Sequence, residues 1–285
     1  ITLDINGYEV KVQNSPFITN SGTLKLIDSQ NVLDEEGIIT TQAGSIQGTG
    51  IIVENNGTLV NEGAYITTTG SSTIENTGVV NIVSGTIKGY GPNGVIHNSE
   101  NGEIKITGGK IELLDGCYYG NDVKAIYNES SKENAVILEK GKIDLVKAWT
   151  SYDDSKTGIV SNKGIVTING GEISGTTPDG SSVGITTSTS KIIINDGIIN
   201  ISGSHDGTSY GANIGNSGEI EINEGNISAT CGVKYGWNAT NAKLIINGGT
   251  INSYYTGIDM GDQNNATLVI TGGTITTSNG TTITN

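Results

Sequence analysis

The sequence predicts an all-β protein, a right-handed parallel β-helix of about eleven coils. Three observations predict it. The 285 residues include 43 Gly, 3 Pro, 1 Phe, 1 Met and no Arg, and the apolar residues are mostly Ile and Val, which favour strands. No stretch carries the 3.6-residue period of a useful helix. One phrase keeps returning, as "EIKITGGKIE", "IVTINGGEIS", "LIINGGTINS" and "LVITGGTITT". Copies follow one another at 24, 32, 30, 26, 28, 24 and 24 residues, while the phrase itself never changes length. A strict unit with all its length variation in the connections is how a solenoid is written.

In chain order, residues 1–79 are the least regular. "ITLDINGYEV", "ITNSGTLKLI" and "GIIVENNGTLVNEG" alternate as strands do and are expected to form opening coils, with residues 1 to about 15 capping the end. From residue 80 to 285 the coils are regular. Each copy reads apolar, any, apolar, any, Gly or polar, Gly, any, apolar. Copies start at Val80, Ile104, Val136, Val166, Ile192, Ile220, Leu244 and Leu268 and close on Ile87, Ile111, Ile143, Ile173, Ile199, Ile227, Ile251 and Ile275. The sixth position is always Gly, from Gly85 to Gly273, which predicts a bend with positive φ. A hairpin at each Asn-Gly-Gly is the competing reading, but its three-residue arms are too short to be stable. Parallel stacking places Ile on Ile and Gly on Gly.

A second frame, apolar-x-Asn-x-Gly, precedes most copies and puts Asn20, Asn61, Asn76, Asn162 and Asn216 at one equivalent corner. Short polar residues suit such corners, and stacked amides are placed to donate one to the next. The last copy finishes at "TTITN" with no cap, so residues 1–285 read as one β-helix domain of a chain expected to continue beyond Asn285.

Fifteen Lys against 29 Asp and Glu give a net charge of −14. Such a surface repels phosphate backbones and anionic lipid, so nucleic acid is not an expected partner. No apolar run approaches the roughly 18 residues of a membrane span, so no membrane insertion is expected.

These features resemble the pectin-lyase-like fold. More narrowly, "ITLDINGYEV…ITNSGTLKLID" followed by repeated "INGGTI" is similar to secreted and wall-attached β-helix proteins of Gram-positive bacteria. The resemblance implies an extracellular location, and it makes catalysis the first function to weigh. Lyases of the fold use a calcium-binding acid cluster with an Arg or Lys base, and a chain without Arg excludes the Arg base. The hydrolases carry Asn-Thr-Asp, Asp-Asp, Gly-His-Gly and Arg-Ile-Lys segments. Here Asn76 to Gly78 reads "NTG", the Asp-Asp pair is Asp153-Asp154 in a loop-like "SYDDSKTG", and neither His97 nor His205 sits between glycines. No catalytic residue is assigned. No calcium-loop pattern appears, and Asp115, Asp122, Asp179, Asp206 and Asp262 read as solvated charge, so neither metal nor cofactor is expected.

Cys117 and Cys231 fall four coils apart, about 19 Å at the strand spacing, too far for a disulfide. The aromatics gather in the connections. Tyr118, Tyr119, Trp149, Tyr152, Tyr210, Tyr235, Trp237 and Tyr254, with Asp122, Asp153, Asp154 and Asp206, are the candidate ligand-binding residues. If equivalent connections line up on one flank, aromatic faces can stack on sugars while acids and amides meet hydroxyls. The alternative is that the same rings only cover the apolar stack. The reading is an extracellular bacterial surface β-helix, an adhesin or rigid stalk, whose partner is a glycan or a host-surface protein. A polysaccharide lyase or glycoside hydrolase is the alternative, and a viral tail-spike module the second.

Overall fold

The structure, a computed structural model, describes residues 1–114, 122–145, 155–177, 181–203, 209–261 and 265–284. None of these is helical. The chain winds as a right-handed parallel β-helix with three faces. Face A runs from Ile18–Asn20 to Thr281–Thr284, face B from Thr2–Asp4 to Thr267–Ile270, and face C from Glu9–Lys11 to Thr274–Thr277. Each face holds eleven parallel rungs among the described residues, as the repeat count predicts.

The register is like on like. Val80 pairs with Ile104, Ile104 with Val136, Val136 with Val166 and Val166 with Ile192. Ile87, Ile111, Ile143, Ile173 and Ile199 form a second column on face C. Face A adds Val53, Ile74, Ile96, Ile126, Ile159 and Ile185. All of these side chains are buried, each contributing about 2–3 kcal/mol relative to exposure. Strand period does this sorting: residues i and i+2 go inward, and those between face water.

Between faces B and C the chain bends at the Gly of the repeat. Gly85, Gly109, Gly141, Gly171, Gly197, Gly225, Gly249 and Gly273 all have φ between +73° and +106°. At Gly109 a Cβ would lie 2.8 Å from the carbonyl oxygen of Gly85 one coil below. Both conformation and stacking therefore demand glycine.

The asparagine corner exists, with a different membership from the expected one. Asn20 donates through Nδ2 to Oδ1 of Asn55 at 2.7 Å, Asn55 to Asn76 at 2.8 Å, Asn76 to Asn98 at 2.7 Å and Asn98 to Asn128 at 2.8 Å. Asn128 then donates to Oγ of Ser161 at 3.1 Å. Asn61 is instead on face B, opposite Ile82, donating to the carbonyls of Ala64 and Ser84. Asn162 lies one residue past the corner, and Asn216 sits in a turn with φ of +38°. The corner residue is set by its distance from the buried Ile of face A, and the glycine two residues on is dispensable when the following turn lengthens.

One segment leaves the stack. Val32–Leu33 and Ile39–Thr41 pair antiparallel, and their turn lies across the Gly bends. The carbonyls of Gly37 and Glu36 accept the N–H groups of Gly85 and Gly109, both at 2.8 Å, while Asn31 donates to the carbonyl of Gly63 at 2.8 Å. Cys231 is buried, and burial pushes its thiol up; its expected non-partner, Cys117, lies outside the described residues.

Candidate functional site

Long connections occur at two junctions rather than on the single flank expected. Between faces C and A the described strands stop at Leu113, Asp144, Thr177 and Gly203 and resume at Val123, Ser155, Ser181 and Tyr210. Between A and B they stop at Asn128, Ile214, Tyr235 and Asp259 and resume at Val136, Glu219, Lys243 and Thr267. Where the coil needs no loop, Asn226–Tyr235 and Thr250–Asp259 each cross from C to A as one strand. The candidate aromatics are therefore divided. Tyr118, Tyr119, Trp149, Tyr152, Asp153, Asp154 and Asp206 lie outside the described residues.

Tyr235 is not a ligand-facing residue. It is 1 % exposed, occupies the corner position that Asn fills lower in the stack, and donates its hydroxyl to the carbonyl of Thr267 at 2.7 Å. Burial pushes that hydroxyl well above its ordinary range. Trp237, two residues on, is 89 % exposed but sits in the turn between faces A and B. Tyr210 opens a face A strand, where its hydroxyl accepts from Nζ of Lys234 at 3.0 Å. Asp122 is exposed before face A and accepts from Ser155 Oγ at 2.5 Å. Tyr254 ends face C, with Tyr255 edge-on to it at 4.7 Å between ring centroids.

Of these residues, Tyr254 borders a hollow of ligand size. A cavity of about 430 Å³ on the outside of face C is bounded by Tyr254, Tyr255, Asn200, Ser228, Thr230 and Asn252, among others. Pockets that hold small ligands run from about 300 to 1,000 Å³. A second hollow of about 290 Å³ shares Asn200 and Ser202 with it and continues past Ser174 to Asp144, Lys142 and Glu172. Together they make a groove along the helix axis across six coils.

Sequence order explains the rows. The residue after each closing Ile must point outward, so Asp144, Ser174, Asn200, Ser228, Asn252 and Thr276 line up in register. Asn252 donates to Asn226 at 3.3 Å and accepts from Thr276 Oγ1 at 2.5 Å. Each carboxamide has two donor hydrogens and an oxygen with two lone pairs, so capacity for a ligand remains. In the sequence this polar row is marked only by a column of Asn, Ser and Thr one place after the closing Ile, a fainter signal than the aromatics of the connections.

Lower on face C the row is charged. Lys88 and Lys110 both bond Glu112, and Lys142 pairs with Glu172 at 3.3 Å. Burial pushes the Glu112 carboxyl up, but the two ammonium groups outweigh it and hold it below its usual range. A third hollow, of about 590 Å³, lies beside the hairpin and is bordered by Asp34, Glu35, Glu36 and Lys140.

No family model matches the chain, and neither a curated protein nor a solved structure does.

Proposed function

We propose that the protein is a carbohydrate-binding β-helix of a bacterial surface, an adhesin or stalk that holds its ligand in the groove on face C. The observation that supports this reading is the 430 Å³ hollow with Tyr254 at its edge, its mostly apolar lining set with the amides and hydroxyls of Asn200, Ser228, Thr230 and Asn252. Sugars offer C–H faces to an aromatic ring and hydroxyls to such groups, and a rigid sheet holds those groups in place without a cost of ordering. A secreted or wall-attached location fits the resemblance drawn from the sequence. A glycan array probed with the purified chain tests the proposal. Binding should appear and fall at least tenfold in Tyr254→Ala, while Trp237→Ala, on the other junction, should bind as the parent does. Equal binding by Tyr254→Ala would move the site elsewhere.

A further inference from the structure

Resting on that glycan-binding reading, we infer that the ligand is an uncharged, extended, β-linked glycan lying along the helix axis, one sugar per coil. Three features of the groove support this. The first is its repeat. Asn200, Ser228, Asn252 and Thr276 present one polar group per coil at the strand spacing of about 4.8 Å. An extended chain of β-1,4-linked pyranoses advances by nearly the same distance per sugar and turns each ring over relative to the last, so each sugar meets one coil and alternate sugars present the same edge to it. A branched or compact glycan would engage one coil and leave the rest of the row unused.

The second feature is charge. The described residues bounding the upper hollow come from four coils, and none carries a charged side chain. A uronic acid or sulfated sugar placed there would give up part of its hydration without a cation to meet it. The net charge of −14 adds a long-range repulsion against any polyanion. Farther down the axis, Lys142 is already paired with Glu172.

The third is the aromatic edge. Tyr254 and Tyr255 stand on the coil of Asn252, one coil below Ser278, giving one sugar an aromatic contact and leaving the others to hydrogen bonds. The chain therefore passes the tyrosines, extending toward Asn200 on one side and Ser278 on the other.

Calorimetric titration with cello- and chito-oligosaccharides of two to seven units, against oligogalacturonates of the same lengths, tests this. Affinity for the neutral series should climb at least tenfold from two units to about four, matching the four coils of the hollow, and then flatten. Oligogalacturonates should bind at least tenfold more weakly at low salt, with the gap narrowing as salt rises. Ser228→Tyr, which sets a ring in the middle of the row while leaving inward Ile227 in place, should abolish the gain with length; its far-ultraviolet circular dichroism reports whether it folds. Affinity independent of length, or oligogalacturonates binding as tightly as neutral chains, would overturn the inference and leave the glycan-binding reading standing. No binding by any saccharide, here or on the array, would overturn both.

Discussion

Asn98 shows how much one side chain carries. Its Oδ1 accepts from Asn76, and its Nδ2 faces Asn128 and the carbonyls of Gly102 and Ala135, all between 2.7 and 3.0 Å and all buried. Alanine there removes four buried hydrogen bonds, although Asn76 keeps the carbonyls of Gly78 and Glu103 and Asn128 keeps the Ser130 amide. Urea denaturation of Asn98→Ala should show a loss on the order of 3 kcal/mol, the sum of several buried hydrogen bonds at about 1 kcal/mol each. A loss under about 1 kcal/mol would mean the ladder is decoration. Gly109→Ala should cost a similar amount, about 3 kcal/mol, through its left-handed backbone and the contact with Gly85. His97, the residue before Asn98, points outward. Its Nδ1 lies 2.6 Å from Glu75 and its Nε2 3.1 Å from Glu129, with the Tyr127 ring stacked at 5.4 Å and Lys124 over that ring. The hydrogen bond to Glu75 raises the imidazole pKa above the ordinary 6.5, against a smaller opposing effect of burial and with help from Glu129. A raised folded-state pKa means the stabilisation is complete below pH about 6.5 and fades as pH climbs through the folded value. The gap in melting temperature between the parent and His97→Gln should therefore be wider at pH 6 than at pH 9. A pH-independent gap would show that the imidazole is not charged in the folded state.

At the scale of elements, the hairpin formed by Val32–Leu33 and Ile39–Thr41 acts as a strap over two Gly bends. Replacing residues 33–39 with a short Gly-Ser linker should free the amides of Gly85 and Gly109 to exchange with deuterium. Those of Ile82 and Ile106, inside the parallel ladders, should stay protected. Loss of protection at all four would instead make the strap part of the cooperative core. This element was poorly legible. Residues 1–79 read as coils alone, although Asn20 and Asn55 are 35 residues apart where the next steps are 21 and 22. "VLDEEGII" was itself the hairpin signal, an acidic turn with Gly between two apolar pairs. The repeat, by contrast, was legible to the residue, because glycine at a left-handed bend and isoleucine in a stacked column tolerate few replacements. The candidate site was less so. Tyr235 has the composition of a surface aromatic, and only the register of Ile214 beneath it reveals a buried corner. Trp237 and Tyr254 look equivalent in sequence because both follow a frame, yet they stand at different junctions.

For the whole molecule, three in-register faces turn a short repeated phrase into a rigid rod, and one side of that rod into a polar track. The outward residues of face B supply a ruler along it, since Asn81, Lys105, Ile137, Thr167, Ile193, Glu221, Ile245 and Val269 stand one above another. Pairs of nitroxide labels at Asn81 with Ile193, Glu221, Ile245 or Val269, read by pulsed electron spin resonance, test this stacking most directly. The distances should rise in even steps of about 4.8 Å, from about 19 Å for Ile193 to about 34 Å for Val269. Distances that failed to grow steadily with coil number, as antiparallel neighbours or a slipped register would give, would contradict it.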